Sequence, residues 1–140
     1  MPGRRSGMSD RASRISPRAS RLGILLSMPV VYPGDPQIVF CTVPDRETAE
    51  HIAANLVTDR LAACVNIVPG VTSIYRWKDS IEQDAELLLI IKTHSAVFDT
   101  LAGRVQALHP YELPEVIAVS VSDGLPAYLD WLSTSLVNTS

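Results

Sequence analysis

The sequence predicts an α+β fold in which four antiparallel strands form one sheet with helices on one face. Three observations lead to this class. Runs of β-branched and apolar residues alternate with amphipathic helical patterns, two of these runs follow each other as a hairpin, and a last helical pattern closes the chain. With 140 residues, 46% of them hydrophobic, the chain has the size of one domain with a tail.

The first strand and helix are predicted at residues 37–43 and 46–59. The strand is a short apolar run, rich in β-branched residues, that Pro44 closes. Asp45 can cap the helix. Apolar residues recur along the helix at a spacing that places them on one face: Ala49, Ile52, Ala53, Leu56 and Val57. We therefore expect a buried strand followed by an amphipathic helix.

Residues 63–77 and 86–93 are predicted to form the two strands of a long hairpin. The first run is rich in Val, Ile and Tyr, and Pro69-Gly70 interrupts it at a bulge or bend. A polar turn near residues 78–80 separates the two runs. At ~3.3 Å per residue the first strand is about 50 Å long, whereas the first helix spans only about 21 Å. The hairpin must therefore extend beyond the helices.

The second half of the chain continues the alternation. Ser95 begins a second amphipathic helix, and the prolines at 110 and 114 keep the preceding residues extended before a strand at 115–120. The segment Asp123-Gly-Leu-Pro126 begins a last helix. Its inward residues should be Leu125, Tyr128, Leu129 and Leu132. The order β-α-β-β-α-β with an added C-terminal helix is the ferredoxin-like plan.

The overhanging hairpin has a consequence for assembly. It carries Ile74, Tyr75 and Trp77, so it exposes apolar side chains and strand edges to water. Another copy of the chain covers such a surface most simply, and we therefore expect a closed homo-oligomer joined partly through strand pairing. The alternative is that the bulge folds the hairpin back over its own sheet.

Charge divides the chain into two unlike segments. Residues 1–35 contain six arginines and two aspartates, a net charge of +4, whereas residues 36–140 contain six basic and thirteen acidic side chains, a net charge of −7. The basic segment has the composition of an organelle leader or of a flexible arm, and a translation start at Met28 would remove most of it. We predict a leader-like or disordered extension at 1–35 and one folded domain at 36–140.

Composition also argues against several classes of protein. No apolar run approaches the ~18 to 20 residues of a membrane-spanning helix, and the acidic domain lacks the basic stripe of a nucleic-acid-binding protein. The chain has no Gly-rich phosphate loop, no G-x-S-x-G elbow and no cysteine with a histidine at a recognisable spacing. We therefore expect a cytoplasmic, non-enzymatic protein that requires no cofactor and binds neither membranes nor nucleic acid.

Several motifs of the folded part resemble those of the CutA family, the divalent-cation tolerance proteins. They are Thr42-Val-Pro-Asp45, the block Leu61-Ala-Ala-Cys-Val-Asn-Ile-Val-Pro-Gly-Val-Thr-Ser-Ile-Tyr-Arg-Trp77, the pair Lys92-Thr93, the segment His109-Pro-Tyr-Glu-Leu-Pro-Glu115 and Tyr128-Leu-Asp-Trp131. They occur in order over about residues 37–136. The resemblance implies a ferredoxin-like homotrimer linked to tolerance of copper and other divalent metals, with no settled reaction.

Cys41, Cys64 and His109 are candidate ligands for copper or another divalent metal. Thiolates select soft ions such as Cu(I). With the third strand between them the two cysteines should lie about 9.5 Å apart, too far for a disulfide or for one shared ion unless a neighbouring subunit contributes ligands. His109 shares a proline-stiffened segment with Glu112 and Glu115. Alternatively, the cysteines are small core residues, and the prolines only fix the entry into the last strand.

Tyr75, Trp77, Lys92, Tyr111 and Glu115 are predicted to gather in a cleft between subunits. A cation, aromatic walls and a carboxylate suit a small anionic or zwitterionic ligand. Trimeric nitrogen-regulatory signalling proteins, whose protomers are also ferredoxin-like, sense effectors in such clefts, which is an analogy of fold alone. Alternatively, the aromatic residues belong to the interface core and Lys92 pairs with a carboxylate. Two alternative functions of the trimer are an effector-binding signalling module, which requires a ligand in the cleft, and a structural protein that anchors a protein partner.

Overall fold

The computed structural model describes residues 34–137. The extension predicted at residues 1–35 lies outside this part of the chain except for its last two residues. Within the described part, four strands and three helices follow one another, with a 3-10 turn, Ser95–Val97, before the second helix. They are β1 (Pro36–Val43), α1 (Arg46–Thr58), β2 (Cys64–Trp77), β3 (Ser80–His94), α2 (Phe98–Leu108), β4 (Ile117–Ser120) and α3 (Pro126–Thr134). This order confirms the predicted α+β, ferredoxin-like plan.

The four strands form one antiparallel sheet in the order β2-β3-β1-β4. Successive side chains on a strand point to opposite faces, and on β1 the residues at 39, 41 and 43 are fully buried whereas those between them are only partly buried. The buried set packs with Ile52 and Leu56 of α1 and with Leu101 and Val105 of α2. The core therefore lies between the sheet and these two helices.

Helix α1 begins as its sequence predicts. The Asp45 carboxylate accepts a hydrogen bond of 2.8 Å from the backbone N–H of Thr48, which satisfies one of the free donors of the first turn. The helix ends at Thr58, and Arg60 has a left-handed φ of 58° that turns the chain toward β2. Val57 is 44% exposed, so the inward stripe of α1 is narrower than predicted.

The hairpin is longer than the sequence predicts, because β3 begins at Ser80 and not at residue 86. Trp77 pairs with Ser80 across a two-residue turn in which Lys78 and Asp79 both have positive φ, at 48° and 67°. This geometry matches the twist of the flanking strands. Residues 80–85 are mostly polar and lack the apolar run that predicts a strand, yet backbone pairing with β2 holds them in one. The register shift predicted at Pro69-Gly70 is present.

The segment that follows α3 packs against the connection between α1 and β2. Leu132 and Leu136 are buried, and the N–H of Val137 donates to the carbonyl of Arg60 at 2.8 Å. The prediction that Leu125 faces inward is wrong: it lies one residue before α3 and is 69% exposed. β4 is also shorter than predicted, beginning at Ile117. None of the helices within residues 34–137 is long and apolar enough to cross a membrane.

Candidate functional site

Cys41 lies in the hydrophobic core, on the face of β1 that packs against the helices. Its side chain is fully buried. Burial, followed by the negative charges of Glu115 and Glu86, raises the pKa of the Cys41 thiol to about 12. Metal ligation requires the thiolate. Cys41 is therefore held as a neutral thiol, in the setting of a small core residue.

Cys64 stands at the start of β2 on the other face of the sheet. It pairs with Lys92, whereas Cys41 pairs with Leu89, and residues 89 and 92 of one strand point to opposite faces. The structure confirms that β3 separates the two cysteines and that neither is in a disulfide. The Cys64 thiol is half-buried, and the Lys92 ammonium lies 4.0 Å from its sulfur. Lys92 also contacts the Asn66 side-chain oxygen.

His109 is buried where α2 ends, and both of its ring nitrogens are hydrogen-bonded. The Tyr111 backbone N–H donates to Nδ1 at 3.1 Å, so Nδ1 is an acceptor. Nε2 lies 2.8 Å from the carbonyl oxygen of Thr42 and must therefore be the donor. This pairing fixes the neutral tautomer protonated on Nε2. The hydrogen bond from His109 to Thr42 holds the segment before β4 against the end of β1.

The three candidate metal ligands do not form one site within the protomer. Cys41 and Cys64 lie on opposite faces, and His109 is engaged with backbone groups at both nitrogens. Among residues 34–137 the structure contains no group of three or more His, Cys, Asp or Glu side chains that could hold a metal ion. A metal held by three or more such side chains would need ligands from outside residues 34–137 of one protomer.

Three residues of the predicted cleft do come together, with two acids that the sequence analysis missed. We call this set the tyrosine–carboxylate cluster. Its members are Tyr75, Asp84, Glu86, Tyr111 and Glu115. The Tyr111 hydroxyl donates to Glu86 Oε2 at 2.6 Å, and the Tyr75 hydroxyl contacts Asp84 Oδ2. The cluster joins the hairpin to the segment that precedes β4.

Negative charge dominates the tyrosine–carboxylate cluster. The hydrogen bond to Asp84 raises the pKa of Tyr75 to about 12. Burial, then the bond to Glu86, raises the pKa of Tyr111, and burial followed by the charge of Glu86 raises the pKa of Glu115. Both phenols therefore remain protonated donors at neutral pH. The cluster presents hydrogen-bonded carboxylates, which favour a cationic group over an anion.

The other two residues predicted for the cleft lie elsewhere in the protomer. Lys92 is beside Cys64 near the far end of β3. Trp77 is at the tip of the hairpin, where the Lys78 ammonium lies 5.5 Å from its ring centroid. Within residues 34–137 of one protomer Lys92 contacts an amide oxygen and a thiol, and its partnership with a carboxylate at a subunit interface stays a prediction.

Asp84 and Glu86 could have been found from the sequence. They alternate along β3 and lie on the face of the hairpin that also carries Tyr75. Tyr75 pairs with Glu82, so Asp84 is the next residue on that face and Glu86 is the one after it. The prediction began this strand at residue 86, so Asp84 was placed before it. The signal for these two residues in the sequence is the alternation of acidic side chains opposite an aromatic residue, in the polar half of the hairpin.

Residues 37–135 match the family model of the CutA1 divalent ion tolerance protein. The divalent-cation tolerance protein CutA of Thermus thermophilus is 54% identical over 96 residues, which make up 69% of this chain and 93% of that protein. The chloroplastic protein CutA 1 of Oryza sativa is 46% identical over 98 residues, 70% of this chain. The match spans about half, 55%, of the rice protein.

Solved structures show the same similarity. The structure of the divalent cation tolerance protein from Thermus thermophilus superposes with a TM-score of 0.72 and 51% sequence identity. The superposition covers 73% of this chain and 99% of that chain. The agreement therefore extends over almost all of the part that forms the sheet and helices.

Proposed function

We propose, because this chain belongs to the CutA1 divalent ion tolerance family, that it acts as a homotrimer in the response to copper and other divalent metal ions. It works by binding and not by catalysis, requires no resident cofactor, and resides in the cytoplasm. The match over residues 37–135 carries the proposal. The surface of the protomer and the setting of its thiols support its two finer parts, assembly and metal binding.

The exposed hairpin supports assembly. Ile74 is 67% exposed and Ile81 is 63% exposed, so the hairpin is not folded back over its own sheet. β2 and β4 are the outer strands of the sheet, with backbone groups open to pairing. Ile117 on β4 adds a third large apolar side chain, 55% exposed. A closed ring of three copies would cover these side chains and strand edges.

Cys64 is the residue to which we assign direct binding of Cu(I). Its half-buried thiol lies on the sheet face away from the helical core, where a second protomer can contribute further ligands. Cys41 and His109 are weaker candidates, because Cys41 is a fully buried neutral thiol and both ring nitrogens of His109 are hydrogen-bonded. Soft thiolate ligands favour Cu(I) over harder divalent ions.

Competition for Cu(I) against a chelator tests this assignment in the full-length protein. We expect Cys64→Ser to weaken Cu(I) binding at least about tenfold, which is about 1.4 kcal/mol. The matched substitution Cys41→Ser should leave the affinity unchanged. If both variants bind Cu(I) as tightly as the parent, the thiol part of the proposal is wrong.

A second candidate function is the binding of a small effector. The observation that favours it is the tyrosine–carboxylate cluster, where donors and acceptors from two parts of the chain converge. A thermal-shift screen of nucleotides, small acids and amino acids tests it. A trimer whose melting temperature no compound raises would count against this function and in favour of a purely structural or anchoring role.

A further inference from the structure

A cavity of about 380 Å³ lies where the hairpin passes the start of α1. Its walls include Pro44 at the end of β1, Pro69 at the bulge and Val71 just beyond it. Gly70 also lines it, with a left-handed φ of 81° and no atom within 4 Å of the position that a Cβ would occupy. The bulge therefore holds open a space of a size that suits a small molecule.

Two opposite charges line this cavity without being paired to each other. Arg46 and Glu86 both contribute to its lining. Within residues 34–137 the ion pair that the structure contains joins Arg104 to Asp59, so neither Arg46 nor Glu86 is neutralised in one. Arg46 is exposed and Glu86 is buried, and the two side chains can together bind a molecule that carries both charges.

Glu86 is an unusual residue to find in a cavity wall. It is only 6% exposed, although buried carboxylates are normally paired with a cation. Tyr111 donates to its Oε2, and Oε1 has no hydrogen-bond donor in the part of the chain that the structure describes. The neighbouring carboxyl groups of Glu115 and Asp84 add negative charge. Oε1 is not one of the side-chain atoms that are buried without a hydrogen-bond partner, so an ammonium group in the cavity can reach it and donate to it.

From this arrangement we infer that the cavity binds a small zwitterion of the amino-acid class. The ligand's ammonium donates to Glu86 Oε1, and its carboxylate accepts from the Arg46 guanidinium, which can bind both carboxylate oxygens. The apolar walls formed by Pro44, Pro69 and Val71 accommodate the carbon chain between these groups. The site lies within one protomer, and it supplies the ligand class for the effector-binding candidate, on which it rests.

The test is isothermal titration of the full-length protein with amino acids of increasing chain length, from glycine to 6-aminohexanoate. Butyrate and butylamine serve as probes with one charge each. We expect at least one zwitterion to bind with a Kd below about 1 mM, and the two probes to bind at least about tenfold more weakly. Absence of binding by every zwitterion, or equal binding by butylamine, would overturn the inference.

Two charge-neutralising variants locate the binding. Arg46→Gln and Glu86→Gln should each weaken the zwitterion at least about tenfold. The matched controls are Arg104→Gln and Glu50→Gln, which remove charges outside the cavity and should leave binding unchanged. The amide introduced by Glu86→Gln keeps an acceptor for the Tyr111 hydroxyl, and melting curves verify that each variant is folded. Unchanged affinity in both cavity variants would also overturn the inference.

These results are separable from the metal proposal. If no zwitterion binds while Cys64→Ser still weakens Cu(I) binding, the cavity inference fails and the proposed metal function stands. If zwitterion binding follows Arg46 and Glu86 while Cu(I) binding is insensitive to Cys64, the cavity inference is supported and the thiol assignment fails.

Discussion

The acids of the tyrosine–carboxylate cluster dominate the chemistry of the protomer at the scale of single residues. Glu86 is buried and receives one hydrogen bond from Tyr111. Glu115, which interacts with it, has a pKa raised first by burial and then by the charge of Glu86. Burial and the nearby charge of Glu86 both disfavour the ionised form of Glu115. Stability should therefore depend on pH through Glu115.

Glu115→Gln tests that dependence. A carboxyl group whose pKa is higher in the folded state stabilises the fold below its unfolded pKa of ~4.3, and this contribution is lost as pH rises through the folded pKa. The variant should therefore match the parent near pH 4 and be more stable at pH 7. Urea unfolding at one fixed protein concentration measures the difference.

Glu112→Gln is the control for this prediction, since Glu112 and Glu115 are both exposed acids on the same segment and Glu115 is the one on which the charge of Glu86 acts. Glu112→Gln should not change how the free energy of unfolding depends on pH. A parent that gains stability relative to Glu115→Gln between pH 4 and pH 7 would contradict the assigned sign, and equal profiles would show that neither burial nor the charge of Glu86 penalises the ionised form of Glu115.

The separation of Cys41 from Cys64 could be predicted at the same scale, because strand order alone decides it. The engagement of His109 could not. Its partner is the carbonyl of Thr42, 67 residues earlier in the chain, and a backbone acceptor has no signature in the sequence. The separation of Lys92 from the other residues of the predicted cleft could not be predicted either. The contacts of Lys92 depend on the register in which β3 pairs with β2, which places it opposite Cys64.

At the scale of elements, the hairpin shows what patterns predict and what they miss. Its existence, its bulge and its turn follow from β-branched residues and from Pro69-Gly70. The first six residues of β3 were missed because they are mostly polar, and pairing with β2 places them in a strand regardless. Leu125 was wrongly placed inside because α3 begins only after it, so the helical spacing does not apply there.

Two glycines allow a matched test of backbone conformation in these elements. A Cβ would meet no atom within 4 Å at either Gly70 or Gly103, so packing does not distinguish them. Gly103 lies in α2, where alanine should stabilise the fold by about 0.5–1 kcal/mol. Gly70 has a left-handed φ of 81°, where alanine should destabilise it by about 1 kcal/mol.

Urea unfolding of Gly70→Ala and Gly103→Ala beside the parent measures these opposite shifts. Each variant is the control for the other, because both add one methyl group to open space. Shifts of the same sign would contradict the claim that the bulge is held by a conformation that favours glycine.

At the scale of the whole molecule, the protomer leaves large apolar side chains exposed to water. The acidic domain has a net charge of −7 and a long hairpin whose apolar residues face water. A domain of this size buries only about two-thirds of the surface of its unfolded chain. Assembly through the hairpin would add burial that the single chain lacks.

Ile74→Lys combined with Ile81→Lys tests the role of the hairpin. Two charges on this apolar surface should convert the assembly to monomers while leaving the circular dichroism of the sheet and helices in place, because neither side chain belongs to the core. Leu125→Lys is the control, with a similarly exposed side chain outside the hairpin. An assembly that survives the double substitution would show that the hairpin does not form the interface.

Native mass spectrometry of the full-length protein at micromolar concentration tests the central claim most directly. The overhanging hairpin and the open strand edges predict a closed assembly, and the resemblance to the CutA family implies three copies, so we expect a single dominant species with three times the mass of the chain. A monomer at that concentration would contradict this claim.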